Sequence, residues 1–202
     1  MAGVWLCVRL NTDMDDHHND SEAAIDAGLV RRARDGDNDA FVQLVRRHER
    51  SAQQLAAFIC GSTTQAADVT QEAFLIVYTT LSKLRSDQAF RPWLMRITAN
   101  TAKNLVRSAA RRSGREQRLV SFALPPALTP EDQALSTAEA EELWQALGTL
   151  DHRERVVVAL RYGAGLTEAE TAAALHIPAG TVKSRTSRAL NNLRATLGQA
   201  RD

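Results

Sequence analysis

Cysteine, proline and aromatic residues are all scarce in this 202-residue chain, with two cysteines, five prolines and 5% Phe, Trp and Tyr together. Cys7 and Cys60 stand far apart and form no Cys-x-x-Cys pair. That spacing excludes a disulfide scaffold and a cysteine zinc site, and it suits a reducing cytoplasm. Cys60 reads as a small buried residue at a helix end. No apolar run approaches the roughly 20 residues that span a bilayer, so no direct membrane insertion is expected. The short run from Val4 to Val8 lacks a basic leader and a small-residue cleavage site, which argues against a signal peptide. Met14, inside a polar stretch from Asn11 to Asp20, is expected to be the true start. No glycine-rich phosphate loop occurs, and neither a metal nor a cofactor is expected.

Charge of one sign is lacking too, because the net charge is only +1. Its distribution carries more information than its sum. Arg91, Arg96, Lys103, Arg107, Arg111, Arg112, Arg115 and Arg118 make one basic stretch that holds a single acid, Glu116. Lys183, Arg185, Arg188, Arg194 and Arg201 make a second, with no acid between them. Acidic residues gather near the start and from Glu131 to Glu170. Two basic stretches on a near-neutral chain mark where a polyanion would sit. With 44% hydrophobic and 24% charged residues the composition is globular. The length allows one ordinary domain or two small ones.

The periodic signals are helical. Leu29, Val30 and Ala33 form a short stripe that ends at Gly36, and Asp37 is placed to cap the next helix. There Phe41, Leu44, Val45, His48, Ala52, Leu55 and Ile59 recur at three and four, which is one face of an α-helix; His48 reads as a structural histidine. Thr63 or Thr64 is expected to cap a third helix with Val69, Ala73, Ile76, Val77, Thr80, Leu81 and Leu84 inward. Ser86 to Gln88 break the pattern. Pro92 suits the first turn of a fourth helix with the stripe Trp93, Leu94, Ile97, Thr101 and Leu105. Gly114, Pro125, Pro126 and Pro130 then mark a linker.

Beyond it, three capping-box spacings start short helices: Ser136 before Glu139, Asp151 before Glu154, and Thr167 before Glu170. Ala172 allows close helix approach, His176 to Gly180 make a tight turn, and Val182, Thr186, Ala189, Leu190, Leu193 and Leu197 face inward on the last helix. That pattern suggests a helix-turn-helix. The outer face of the last helix offers Ser184, Ser187, Arg188 and Asn191, with Lys183 and Arg185 at its edges. Such groups read base edges and bind phosphates. The fold class is therefore all-α, with two small helical domains joined by a flexible linker. Their expected boundaries are an N-terminal disordered arm over 1–24, a four-helix domain over 25–112, a linker over 113–135 and a helix-turn-helix domain over 136–202.

In the first domain Asp68, Gln71, Glu72 and Leu75 share one helix face, either as a solvated surface or as a dock for a basic partner helix. Catalysis by the two carboxylates is not expected, since no histidine or cysteine stands near them in the pattern. Asn100, Lys103, Asn104 and Arg107 make a polar stripe able to contact bases and phosphates.

Asp68-Val69-Thr70-Gln71-Glu72-Ala73-Phe74, Phe90-x-x-Trp93-Leu94-x-Arg96-Ile97-x-x-Asn100 and Gly180-Thr181-Val182-Lys183-Ser184-Arg185 resemble three signatures of extracytoplasmic-function sigma factors, in the family's order. The resemblance runs from about Leu29 to Leu197. It implies a non-enzymatic subunit that directs RNA polymerase to promoters and helps to open them. By the resemblance, Asp68, Gln71, Glu72 and Leu75 grip the clamp of the polymerase largest subunit, and the flap of the second-largest subunit is a further contact. The helix from Arg91 to Arg112 binds and melts the −10 element through Arg91, Trp93, Arg96, Asn100, Lys103, Asn104, Arg107, Arg111 and Arg112. The loop from Ser82 to Gln88, with Lys83, Leu84 and Arg85, borders a pocket for a flipped base. Thr181, Lys183, Ser184, Arg185, Ser187, Arg188 and Asn191 read the −35 element. A cognate anti-sigma factor, often membrane-anchored, and a stress response are implied as well. Leu84, Thr171, Thr186 and His176 depart from the family's usual residues. A stand-alone helix-turn-helix regulator remains the alternative; it leaves Asp68 to Asn104 unused. An adaptor that docks proteins only leaves both basic helices unexplained.

Overall fold

The computed structural model describes residues 16–113 and 137–199, all as helices and short connections. The helices are α1 (Asp16–Arg34), α2 (Asn38–Cys60), α3 (Thr63–Thr80), α4 (Phe90–Ser113), α5 (Thr137–Thr149), α6 (His152–Val158), α7 (Glu168–Leu175) and α8 (Ala179–Gln199). Two 3₁₀ turns, Leu81–Lys83 and Asp87–Ala89, connect α3 to α4, and a π turn, Ala159–Gly163, widens the end of α6. The expected linker lies outside the described residues apart from its first, Ser113, which closes α4. Residues 16–24, within the arm expected through residue 24, lie in α1.

The caps follow from local chemistry, with two corrections. Gly36 takes φ +93, and Asp37 accepts the Ala40 N–H at 3.0 Å. Ser62, rather than Thr63 or Thr64, caps α3 by accepting from the Gln65 N–H. A residue in extended backbone just outside the helix is the one whose side chain reaches back to those amides. Thr167 and Glu170 form the full reciprocal capping box. Asp151 caps α6 without its partner, because Glu154 is buried and accepts from the Asn192 amide of α8 at 3.2 Å. The spacing Ser136 to Glu139 begins outside the described residues.

Leu44, Leu55, Ile59, Val69, Val77, Phe90 and Leu94 are fully buried where α1–α4 meet. Each such side chain contributes about 1.5–3 kcal/mol relative to exposure. Asp26 of α1 is buried with them. Its carboxylate meets His48 Nε2 at 2.7 Å and accepts from Arg47 Nε at 2.9 Å, so His48 is satisfied as expected. Burial pushes the Asp26 carboxyl upward, but the hydrogen bonds and charges of His48 and Arg47 outweigh it and hold the group below its ordinary value.

In the second domain Val157, Ala172 and Val182 close the helix-turn-helix. His176 ends α7 in the left-handed region at φ +54, a conformation glycine adopts without strain and histidine does not. The Thr171 and Thr186 hydroxyls are buried with no hydrogen-bond partner among the described residues. Buried Thr70 and Thr98 differ, since each donates to the carbonyl four residues back. An unpaired buried hydroxyl costs about 1–3 kcal/mol. Thr171→Val keeps the shape and removes that group, so it is expected to stabilise the protein by about 1 kcal/mol in urea unfolding. A variant no more stable than the parent would show the hydroxyl to be satisfied.

Candidate functional site

Three surfaces gather the residues singled out in the sequence. The first is the outer face of α3, where Asp68, Gln71 and Glu72 are exposed and Leu75 is 59% exposed. Val69, Ala73 and Val77 on the opposite face are fully buried, which turns the polar set outward. Beside it runs a shallow groove of about 440 Å³ against α2, lined by Phe41, Val45, Gln71, Phe74, Leu75 and Tyr78. Phe41 and Tyr78 pack edge to face at 4.9 Å, and Tyr78 and Val42 are exposed. Phe41 was legible only as core; Val42 and Tyr78 stand off the stripes that the helical spacing picks out. An apolar groove that also takes in Glu49, beside the exposed Asp68 and Glu72 of α3, suits an amphipathic helix with basic flanks.

The second surface is α4 with the loop before it. Asn104, Arg107 and Arg111 are exposed, and Arg91, Trp93, Arg96, Asn100 and Lys103 are partly buried. Arg112 lies in α4, but its side chain is outside the described set. In the loop Lys83 and Arg85 face solvent. Leu84 does not join them: it is 7% exposed and packs in the core, so it offers no side-chain face to a base. The chain pattern had already placed Leu84 inward, and the core contact explains why an aliphatic stands there.

The third surface is α8. Val182, Ala189 and Leu193 anchor it inward, while Lys183, Ser184, Ser187, Arg188 and Asn191 are exposed and Thr181 and Arg185 are partly buried. Arg188 Nε donates to the Ser184 carbonyl at 3.4 Å, and Asn191 Oδ1 accepts from Arg194 at 2.9 Å.

The second and third surfaces are brought together. The C-terminal helices pack on α2 and α4, and one apolar cluster runs from Leu29 to Leu193. Phe58 of α2 and Trp144 of α5 meet edge to face at 4.7 Å. Arg91 lies over Gly165, where a Cβ would stand 3.2 Å from the guanidinium; φ of +63 there strains any side chain. Burial, with Arg107 and Arg185 close by, lowers the Lys103 ammonium. Burial also lowers His152, helped by Arg155, Lys103 and Arg107 and opposed by Asp151. The basic faces of α4 and α8 are thus neighbours across a seam. At the same seam burial pushes the Cys60 thiol up to about 11, which keeps it protonated and unreactive near neutrality.

Residues 44–112 match the family model for Sigma-70 region 2, and residues 146–195 that for Sigma-70 region 4. The RNA polymerase sigma factor NccH of Alcaligenes xylosoxydans xylosoxydans is 32% identical over 88% of this chain and 97% of its own length. The chain belongs to the sigma-70 factors of the extracytoplasmic-function type. The ECF RNA polymerase sigma-E factor of Escherichia coli K12 is 35% identical to this sigma factor over 84% of the chain and 92% of its own length. Among solved structures, CnrH in complex with the cytosolic domain of CnrY is 29% identical, with a TM-score of 0.64 over 87% of this chain and 98% of that one. RpoE of Bartonella quintana, solved with the anti-sigma factor NepR, shares the fold at 20% identity and a TM-score of 0.67, covering 78% of this chain and 96% of that one. Among the described residues of the sigma factor, no helix is long and apolar enough to cross a membrane.

Proposed function

We propose that this sigma factor docks on core RNA polymerase through the exposed face of α3, reads and melts the −10 element with α4 and its preceding loop, and reads the −35 element with α8. The observation that carries this reading is the division of labour among three surfaces: one acidic and apolar on α3, and two basic and amide-bearing on α4 and α8. Acidic and apolar groups suit a basic helix of a protein partner. Arginine, lysine and asparagine suit phosphates and base edges. The protein acts as a subunit in the cytoplasm and leaves RNA synthesis to the polymerase. An anti-sigma factor that covers these faces fits the reading, since RpoE of Bartonella quintana, which shares the fold, was solved with the anti-sigma factor NepR.

Transcription by purified core polymerase, with and without this protein, on a library of random promoters tests the proposal. Transcripts that require the protein and share two spaced elements support it. Binding of a specific duplex by the protein alone, with no transcripts, would favour the stand-alone regulator. Within the same assay Asn100→Ala is expected to lower promoter opening about tenfold, the scale of one base contact, with core affinity unchanged. Equal losses in opening and core affinity would remove Asn100 from the −10 surface.

A further inference from the structure

Arg34, at the end of α1, was in no motif. Its guanidinium nevertheless holds the loop between α3 and α4 at three points. Nε donates to the Leu81 carbonyl at 3.2 Å, Nη2 donates to the Leu84 carbonyl, and Nη1 meets Asp87 Oδ1 at 2.5 Å. Arg31 supports the same carboxylate at 3.8 Å. The buried Leu81 and Leu84 side chains anchor this loop to the core, and Arg34 anchors its backbone carbonyls. Leu81 and Leu84 both sit where α3 has ended; the Leu81 carbonyl accepts from the Leu84 N–H at 3.2 Å as well as from Arg34. Leu84 and Ser86 are extended, and only two single 3₁₀ turns interrupt the run. A planar fork of donors satisfies diverging acceptors as the single ammonium of lysine does not.

The loop is thus pinned from beneath by two different means: the Leu84 side chain in the core and the Arg34 guanidinium on the carbonyls around it. Its exposed residues, Ser82, Lys83, Arg85 and Ser86, are held on a fixed backbone as a result. We infer that Arg34 is a positioning residue for −10 base selection: it sets the shape of the 81–87 loop before DNA arrives. This rests on the reading of that loop as one wall of the −10 site. A preformed wall spends no binding energy on ordering itself, and a loose one accommodates wrong bases about as well as right ones.

The test uses the full chain with core polymerase. Arg34→Ala is expected to reduce discrimination between the preferred −10 element and its single-base variants about tenfold. Discrimination at −35 and affinity for core should stay within about twofold, the range of a surface change distant from those faces. Arg34→Lys keeps a cation beside Asp87 but not the fork, so it should lose most of the same discrimination. Asp87→Asn leaves both carbonyl contacts in place and should lose less. If Arg34→Ala weakens folding, Arg34→Lys and Asp87→Asn carry the comparison alone. Hydrogen exchange of the loop amides from Leu81 to Asp87, measured without DNA or polymerase, should accelerate in Arg34→Ala. Unchanged exchange would overturn the clamp itself. Faster exchange with unchanged −10 discrimination would overturn the positioning role, as would equal losses at −10 and −35. If the wild-type protein directs no −10-dependent transcription while the clamp is seen in exchange, it is the assignment of the loop to DNA that fails.

Discussion

A protein carrying Asp68→Arg together with Glu72→Arg is expected to lose core-dependent transcription while remaining folded. Both carboxylates are exposed, stand one turn apart on α3, and pair with no cation among the described residues. Changing them disturbs no internal contact, and surface substitutions of that kind alter stability by about 0.5 kcal/mol or less. At a docking surface the arithmetic is different. Placing like charges opposite each other costs several kcal/mol, and every 1.4 kcal/mol is tenfold in affinity. The double variant should therefore bind core polymerase at least about a hundredfold more weakly in a fluorescence anisotropy titration. Helix content and urea midpoint should match the parent. Leu75→Ala should give a smaller loss from the same surface, since it removes apolar contact without adding repulsion. Parental affinity in the double variant would move the polymerase dock off α3.

The largest effect on stability is expected at Asp26. Asp26→Ala leaves the His48 ring, buried beneath α1, without its acceptor and strips Arg47 of its partner. Removing one member of a buried pair costs about 3–5 kcal/mol. The lower end is the better expectation here, because Arg47 is 31% exposed and water can take over part of its solvation. Urea unfolding should show a loss of about 3 kcal/mol. The linkage to pH has a definite sign. The Asp26 carboxyl is lowered in the folded protein, so the unfolded chain takes up its proton first as pH falls. The contribution is complete above the ordinary aspartate value of 3.8 and is lost below it, as pH drops toward the folded value. A fold stability that falls equally with acid in the parent and in Asp26→Asn would show that the carboxylate is not a source of the acid lability. Since α1 also carries Arg34, loosening its anchor should soften the loop before α4 as well.

Much of the architecture could be read directly. The stripe Leu44, Ala52, Leu55 and Ile59 repeats at helical spacing because one face of α2 is buried along its whole length. Thr167 and Glu170 announced α7 because that motif is local and needs nothing from the rest of the fold. Legibility ends where a residue answers to something distant in the chain. Glu154 has the capping-box position but turns inward to Asn192, 38 residues away. Arg34 ends a helix as a basic residue should for the helix dipole, and its reach of about fifty residues to the loop leaves no spacing signature. Trp93, Ile97 and Leu105 were expected inward on α4, yet they are only partly buried, while Met95, Thr98, Ala99 and Ala102 are buried. The helix has neighbours on more than one side, including α7 of the second domain. A single-stripe pattern describes a helix with one packed face, and α4 has more.

The seam between the domains has an optical consequence. Its aromatic contact is made by one of only three tryptophans in the chain, and the ring edge of Phe58 is its immediate neighbour. Trp144 is 5% exposed where the two domains meet, so its emission is set by whether they stay together. Water reaching that indole shifts its spectrum to the red. With Trp5 and Trp93 changed to phenylalanine, the sigma factor carries a single tryptophan, at the joint between its two domains. Any separation of the two domains on binding a partner would then be visible in a stopped-flow trace, with no label attached.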